Sequence, residues 1–147
     1  EPDFIGLYTN RGVAHARLGH YERAIRDYDE SIRRHPNVVK TFYNRGVSFY
    51  SLGQYQRAIQ DFDKALELDA WTTTPSEEAD AFLNRGNSYY KLGQYQNAVY
   101  DYNKAIELAP DDARAYNNRG SSYKELGRFS DADADKTTAC SLDSRLC

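Results

Sequence analysis

Hydrophobic residues recur along this chain with helical spacing, in paired runs separated by glycine. In one such pair Phe42, Arg45, Gly46, Phe49 and Tyr50 share a face at 3.6 residues per turn. After Gly53 a second face follows, with Tyr55, Ala58, Ile59, Phe62, Ala65 and Leu66. Two stripes around a glycine turn predict an antiparallel helical hairpin. Gly46, Ala58 and Ala65 are small enough for the two backbones to approach closely, with the aromatic rings filling the gaps beside them.

The pattern repeats. Gly12, Gly46, Gly86 and Gly120 are followed seven residues later by Gly19, Gly53, Gly93 and Gly127, and successive pairs lie 34, 40 and 34 residues apart. A 34-residue unit therefore occurs four times with one six-residue insertion, the signature of a solenoid whose units bury their apolar faces on one another. The units fall at about 5–38, 39–72, 79–112 and 113–146, with the insertion at 73–78, in a single domain spanning 1–147. Thr74-Pro75-Ser76-Glu77 reads as a capping box with proline at the first helical position, so the third unit's first helix is expected to begin early. Trp71, just before it, is read as a lid on the core. In the last unit Asp133 and Lys136 stand where Ile25, Ile59, Val99 and Tyr28, Phe62, Tyr102 occur earlier, which predicts a polar terminal cap.

Aligned, the copies resemble the tetratricopeptide repeat (TPR) from about residue 5 to residue 142. The matching sets are Tyr8, Phe42, Phe82, Tyr116; the first glycines; Tyr21, Tyr55, Tyr95, Phe129; Ala24, Ala58, Ala98, Ala132; and Ser31, Ala65, Ala105, Ala139. Pro36 and Pro110 add the terminal proline of the family, replaced by Ala70 in the second unit. The resemblance implies an all-α fold, a right-handed α-α superhelix of four TPR helix hairpins. One departure stands out. Arg11, Arg45, Arg85 and Arg119 replace the family's large aliphatic inside an Asn-Arg-Gly triplet, and Asp27, Asp61, Asp101 and Asp135 fall at the matching height on the facing helix. An ion pair in each repeat is the expectation.

The resemblance also implies a concave groove lined by the first helices, and hence a protein-interaction adaptor. Asn10, Asn44, Asn84 and Asn118 would form a ladder of amides there, each able to donate to and accept from a peptide backbone. Tyr43, Tyr50, Asn87 and Tyr90 extend the same surface, and Lys40, Lys91 and Arg114, with Arg17 and Lys124, outnumber its anions Asp80 and Glu125. An excess of positive charge in the groove, against −3 for the whole chain, points to an extended, acidic peptide or partner segment. The clamp that grips a chaperone tail needs a Lys and an Asn that are here Thr9 and Val13, or Tyr43 and Val47, so that sub-function is rejected. The alternative is a structural scaffold that self-associates through the solenoid ends, where Phe4, Ile5 and Leu7 precede a helix with no repeat before it; a homo-oligomer would follow.

Composition narrows the rest. Mean hydropathy is −0.83, and no apolar run approaches the ~18 residues of a membrane span. The pI of 5.6 argues against nucleic acid as a partner. No phosphate loop, zinc motif or nucleophile with its base is present, His15, His20 and His35 are scattered, and neither an enzyme nor a cofactor or metal is expected. With Glu1 first and no methionine, the chain reads as a processed or excised piece. Cys140 and Cys147 cannot bridge on one helix, where ~10.5 Å would separate their Cα atoms. A disulfide needs the helix to end near Ser141–Ser144, and otherwise both thiols are free; compartment, cytoplasmic or exported, stays open with that choice.

Overall fold

A computed structural model describes residues 6–68 and 75–147. Phe4, Ile5, Ala70, Trp71 and Thr74 lie outside the described residues. Among these residues there are eight α-helices and no strand: α1 (Leu7–Arg17), α2 (Tyr21–Arg34), α3 (Val39–Ser51), α4 (Tyr55–Glu67), α5 (Pro75–Lys91), α6 (Tyr95–Leu108), α7 (Ala113–Glu125) and α8 (Phe129–Leu142). A short 3-10 turn, Ser144–Leu146, follows. The chain forms two compact units, Glu1–Ala70 and Trp71–Cys147, each of two hairpins. Leu7 lies within α1 rather than before it.

The two sets of glycines do different work. Gly19, Gly53, Gly93 and Gly127 adopt φ of +72° to +76°, the left-handed conformation that ends a helix without a Cβ penalty. Past each of them the next amide reaches back into the helix, as from Gln54 N to Phe49 O at 2.9 Å. The earlier set is needed for close approach. A Cβ at Gly46 would stand 2.8 Å from the ring of Phe62, and one at Gly86 2.8 Å from the ring of Tyr102. Helix α2 stops at His35 before Pro36 and α6 at Ala109 before Pro110, since proline disfavours helical backbone in the residue preceding it. Helix α5 starts at Pro75 and is 17 residues long against 13 for α3 and α7, the early start that the insertion predicts.

Each unit has its own core. In the first, Ile25 of α2 joins Phe49, Ala58 and Phe62 of the next hairpin. In the second, Leu83, Ala98, Tyr102, Ala105 and Ala115 cluster across both hairpins. On α8 Asp133 and Lys136 are both exposed, so this face of the helix is polar. Helix α8 ends at Leu142, and the 3-10 turn brings Cys147 back to Cys140 with 4.7 Å between Cα atoms, so the two cysteines are bridged.

Candidate protein-interaction surface

Each Arg of the Asn-Arg-Gly triplets grips the Asp of the facing helix through two hydrogen bonds, from Nε and Nη2. For Arg45 and Asp61 both are 2.7 Å. Each guanidinium also lies over the ring three residues before it in the same helix: Tyr8, Phe42, Phe82 or Tyr116, at 5.3–5.7 Å. Burial works against the charge on Arg45, but the hydrogen bond and charge of Asp61, then those of Asp29, outweigh it and hold the guanidinium above its ordinary value. Planar, bidentate and stacked, these arginines do what a lysine could not.

The residue patterns foresaw the pair inside each repeat but not its extension to the neighbour. Arg45 uses Nη1 for Asp29 Oδ1 at 2.6 Å, and Arg119 uses Nη1 for Asn103 Oδ1 at 2.6 Å. In both cases the acceptor comes from the second helix of the preceding repeat. The signal lay in a recurring Asp-x-Asp/Asn: Asp27-Tyr28-Asp29, Asp61-Phe62-Asp63 and Asp101-Tyr102-Asn103. The first acid serves its own repeat, and in the first and third repeats the second polar group serves the next one.

The asparagine ladder divides by environment. Asn118 donates from Nδ2 to Asn87 Oδ1 at 2.8 Å, and Tyr102 donates its hydroxyl to the same oxygen at 2.8 Å. At the place of Asn87 the first repeat has Val13, whose side chain offers no acceptor, and Asn44 Nδ2 is enclosed with no hydrogen-bond partner among the described residues. Such a donor costs about 1–3 kcal/mol while unsatisfied. Asn10 is exposed, and Asn84 is half-buried and engaged in an interaction. The carbonyls of Asn44, Asn84 and Asn118 accept from the buried hydroxyls of Ser48, Ser88 and Ser122, which locks the backbone at the ladder.

The tyrosines are half-committed to packing. Tyr50 meets Tyr55 edge-on at 5.3 Å, Tyr90 meets Tyr95 in the same way, and Tyr43 lies 5.9 Å from the ring of Phe62. Burial, then Tyr55, raises the hydroxyl of Tyr50 above its ordinary value; burial, then Glu125 and Tyr95, does the same for Tyr90. Lys40 and Lys91 are exposed. Arg114 is not a free cation: it pairs with Asp112 and Asp80 at 2.7 Å each, and the Asp112 hydrogen bond foremost, against some burial, raises its pKa. His15 and His20 approach to 6.1 Å between rings, yet no group of three potential metal ligands occurs among the described residues.

The hairpins, glycine packing and helix lengths define a class, the helical-hairpin repeat proteins. Family comparison makes it specific. Residues 6–38 and 39–70 match the tetratricopeptide repeat, residues 76–127 the TPR repeat and residues 113–145 again the tetratricopeptide repeat. The chain belongs to the TPR family. It is similar to the solved structure of MamA residues 41-end from Desulfovibrio magneticus RS-1, at 30% identity over 97% of this chain and 77% of that one, with a TM-score of 0.86. A second MamA structure aligns at 21% identity over 99% of this chain and 81% of that one, TM-score 0.88. The APC/C hetero-tetramer Cut9–Hcn1 shares the fold at 22% identity, covering 93% of this chain and 27% of that one, TM-score 0.85. No curated protein matches the chain significantly. By this membership the chain is a protein-interaction repeat scaffold.

Proposed function

We propose that the chain binds an extended, acidic peptide or partner segment along the face of its first helices. The observation that carries this reading is Asn44. Its amide donor has no partner among the described residues, and it sits on the helix that also exposes Lys40 and part of Tyr43 and Tyr50. A guest carbonyl that drew the amide outward would relieve the unsatisfied donor, while Lys40 and Arg17 would attract its carboxylates and the tyrosines its apolar side chains. Asn10 is a further contact in the same unit; in the second unit, taken by itself, Lys91, Asn84 and Tyr90 are the corresponding candidates, and Asn87 and Asn118 would have to give up their mutual bond to join them. Arg114 belongs to this set as a positioning group, because its charge is already answered by Asp80 and Asp112.

The test is a peptide array of acidic and basic sequences probed with the whole chain, followed by titration of the best acidic peptide. Asn44→Ala and Lys40→Ala should each weaken binding about tenfold or more, equivalent to ~1.4 kcal/mol. An array that prefers basic peptides, or acidic binding untouched by either variant, would remove the proposal.

A further inference from the structure

In each unit the two first helices touch, α1 with α3 and α5 with α7, and in the second unit residues 31 apart bond across that contact. There Asn87 Oδ1 accepts twice, from Asn118 Nδ2 and from the Tyr102 hydroxyl, both at 2.8 Å. The first unit keeps both donors, Asn44 and Tyr28, and puts Val13 where their acceptor would stand. The two donors then fare differently. The Tyr28 hydroxyl is hydrogen-bonded to Ser48 instead, whereas Asn44 Nδ2 has no partner among the described residues. The other repeats keep the pairing consistent: Asn87 goes with Tyr102, and Val47 with Phe62, which has no hydroxyl to satisfy. The first repeat alone sets a tyrosine against a valine.

The setting of the two amides differs as well. Val13, Tyr43, Val47 and Tyr50 are each half-buried, and the last three pack on the core of the first unit while keeping one side open. In the second unit the places of Val13 and Val47 belong to Asn87 and Ser121, and the Ser121 hydroxyl donates to Asn117 O at 3.0 Å. For Asn118 a bond to a guest carbonyl would replace the one to Asn87, an exchange of like for like. For Asn44 it would be a net gain, since an enclosed donor without an acceptor costs stability until it is answered. A site holding such a donor discriminates sharply against ligands that do not answer it. The apolar rim adds a second demand, an apolar side chain beside the carbonyl.

Resting on the peptide surface proposed above, we infer that Val13 is the specificity-determining residue that reserves the first unit for the guest. Valine leaves the Asn44 amide to a guest carbonyl flanked by an aliphatic side chain. Asparagine at the same place would close the joint on itself, as Asn87 does in the second unit. Val13 acts by withholding a bond, so its role is read through Asn44.

The probe is the tightest acidic peptide of the array described above, fluorescein-labelled and titrated against the whole chain by anisotropy. Val13→Asn should weaken binding about tenfold or more, and Val13→Leu, equally without an acceptor, less than about threefold. One aliphatic position of the peptide should be required, its replacement by serine weakening binding to the unaltered chain about tenfold or more. Thermal unfolding of the peptide-free chain gives an independent readout. Val13→Asn should raise the melting temperature by about 2–4 °C more when Asn44 is present than in an Asn44→Ala background, the mark of a new bond between the two side chains. An array without any acidic binder would overturn both the proposed function and this inference. Acidic binding that Val13→Asn leaves unchanged, an equal loss in Val13→Leu, a peptide with no required aliphatic position, or the same melting shift in both backgrounds would overturn the inference alone.

Discussion

The two units solve one packing problem with different chemistry. Where the first buries three hydroxyls, Thr9, Ser31 and Thr41, joined at 2.7 and 2.8 Å, the second buries Leu83, Ala105 and Ala115 at the equivalent positions. Where the first answers its bridging arginine with the carboxylate of Asp29, the second uses the amide of Asn103. Val13 leaves Asn44 without a partner, and Asn87 satisfies Asn118. The same backbone accepts either set provided polar groups are matched inside it, because the cost of burial falls on unpaired groups rather than on polarity itself. By that measure the first unit holds its polarity in reserve at Asn44, while the second has spent its own internally.

The largest expected effect tests the shared feature. Arg45→Ala leaves Asp61, buried to 7% exposure, without its counter-charge and should cost about 3–5 kcal/mol in urea unfolding. Arg45→Leu should cost less by restoring aliphatic packing. Arg11→Ala should cost clearly less than Arg45→Ala, because Arg11 is more exposed and lacks the inter-repeat bond; equal losses would show that the Asp29 link contributes nothing. Next in size is Gly46→Ala, about 1–3 kcal/mol from overpacking against Phe62. Gly120→Ala should cost less, since Lys136 replaces the ring and the nearest atoms stand at 3.2 Å.

The hydroxyl cluster gives a smaller, more discriminating pair. Thr9→Ala alone should cost about 1–2 kcal/mol, because it removes both short bonds and leaves Ser31 and Thr41 with only their 3.4 Å contact. Importing the second unit's full set, Thr9→Leu with Ser31→Ala and Thr41→Ala, should change stability by less than about 1 kcal/mol. A triple variant worse than the single one would mean that the hydroxyls are required in their own right. Smallest is Asp29→Asn, the second unit's own choice, at about 0–1 kcal/mol, with a weaker dependence of stability on salt as the readout.

Period, hairpins, turn glycines, the early start of α5 and the polar face of α8 were all readable from residue order, because each depends on neighbours within one or two helical turns or on a spacing that recurs four times. The Arg–Asp pairs were readable for the same reason: 16 residues across a hairpin of fixed geometry is nearly a local relation. Packing decided the rest. Whether Cys140 meets Cys147 depended on where α8 unwinds. That Arg114 is neutralised by Asp80, 34 residues away, that Asn118 spends its donor on Asn87, and that Arg45 reaches back to Asp29 all follow from how one hairpin seats on the next. A side chain's type announces what bonds it can make; only the approach of a second helix selects which of them it keeps and which it leaves for a partner.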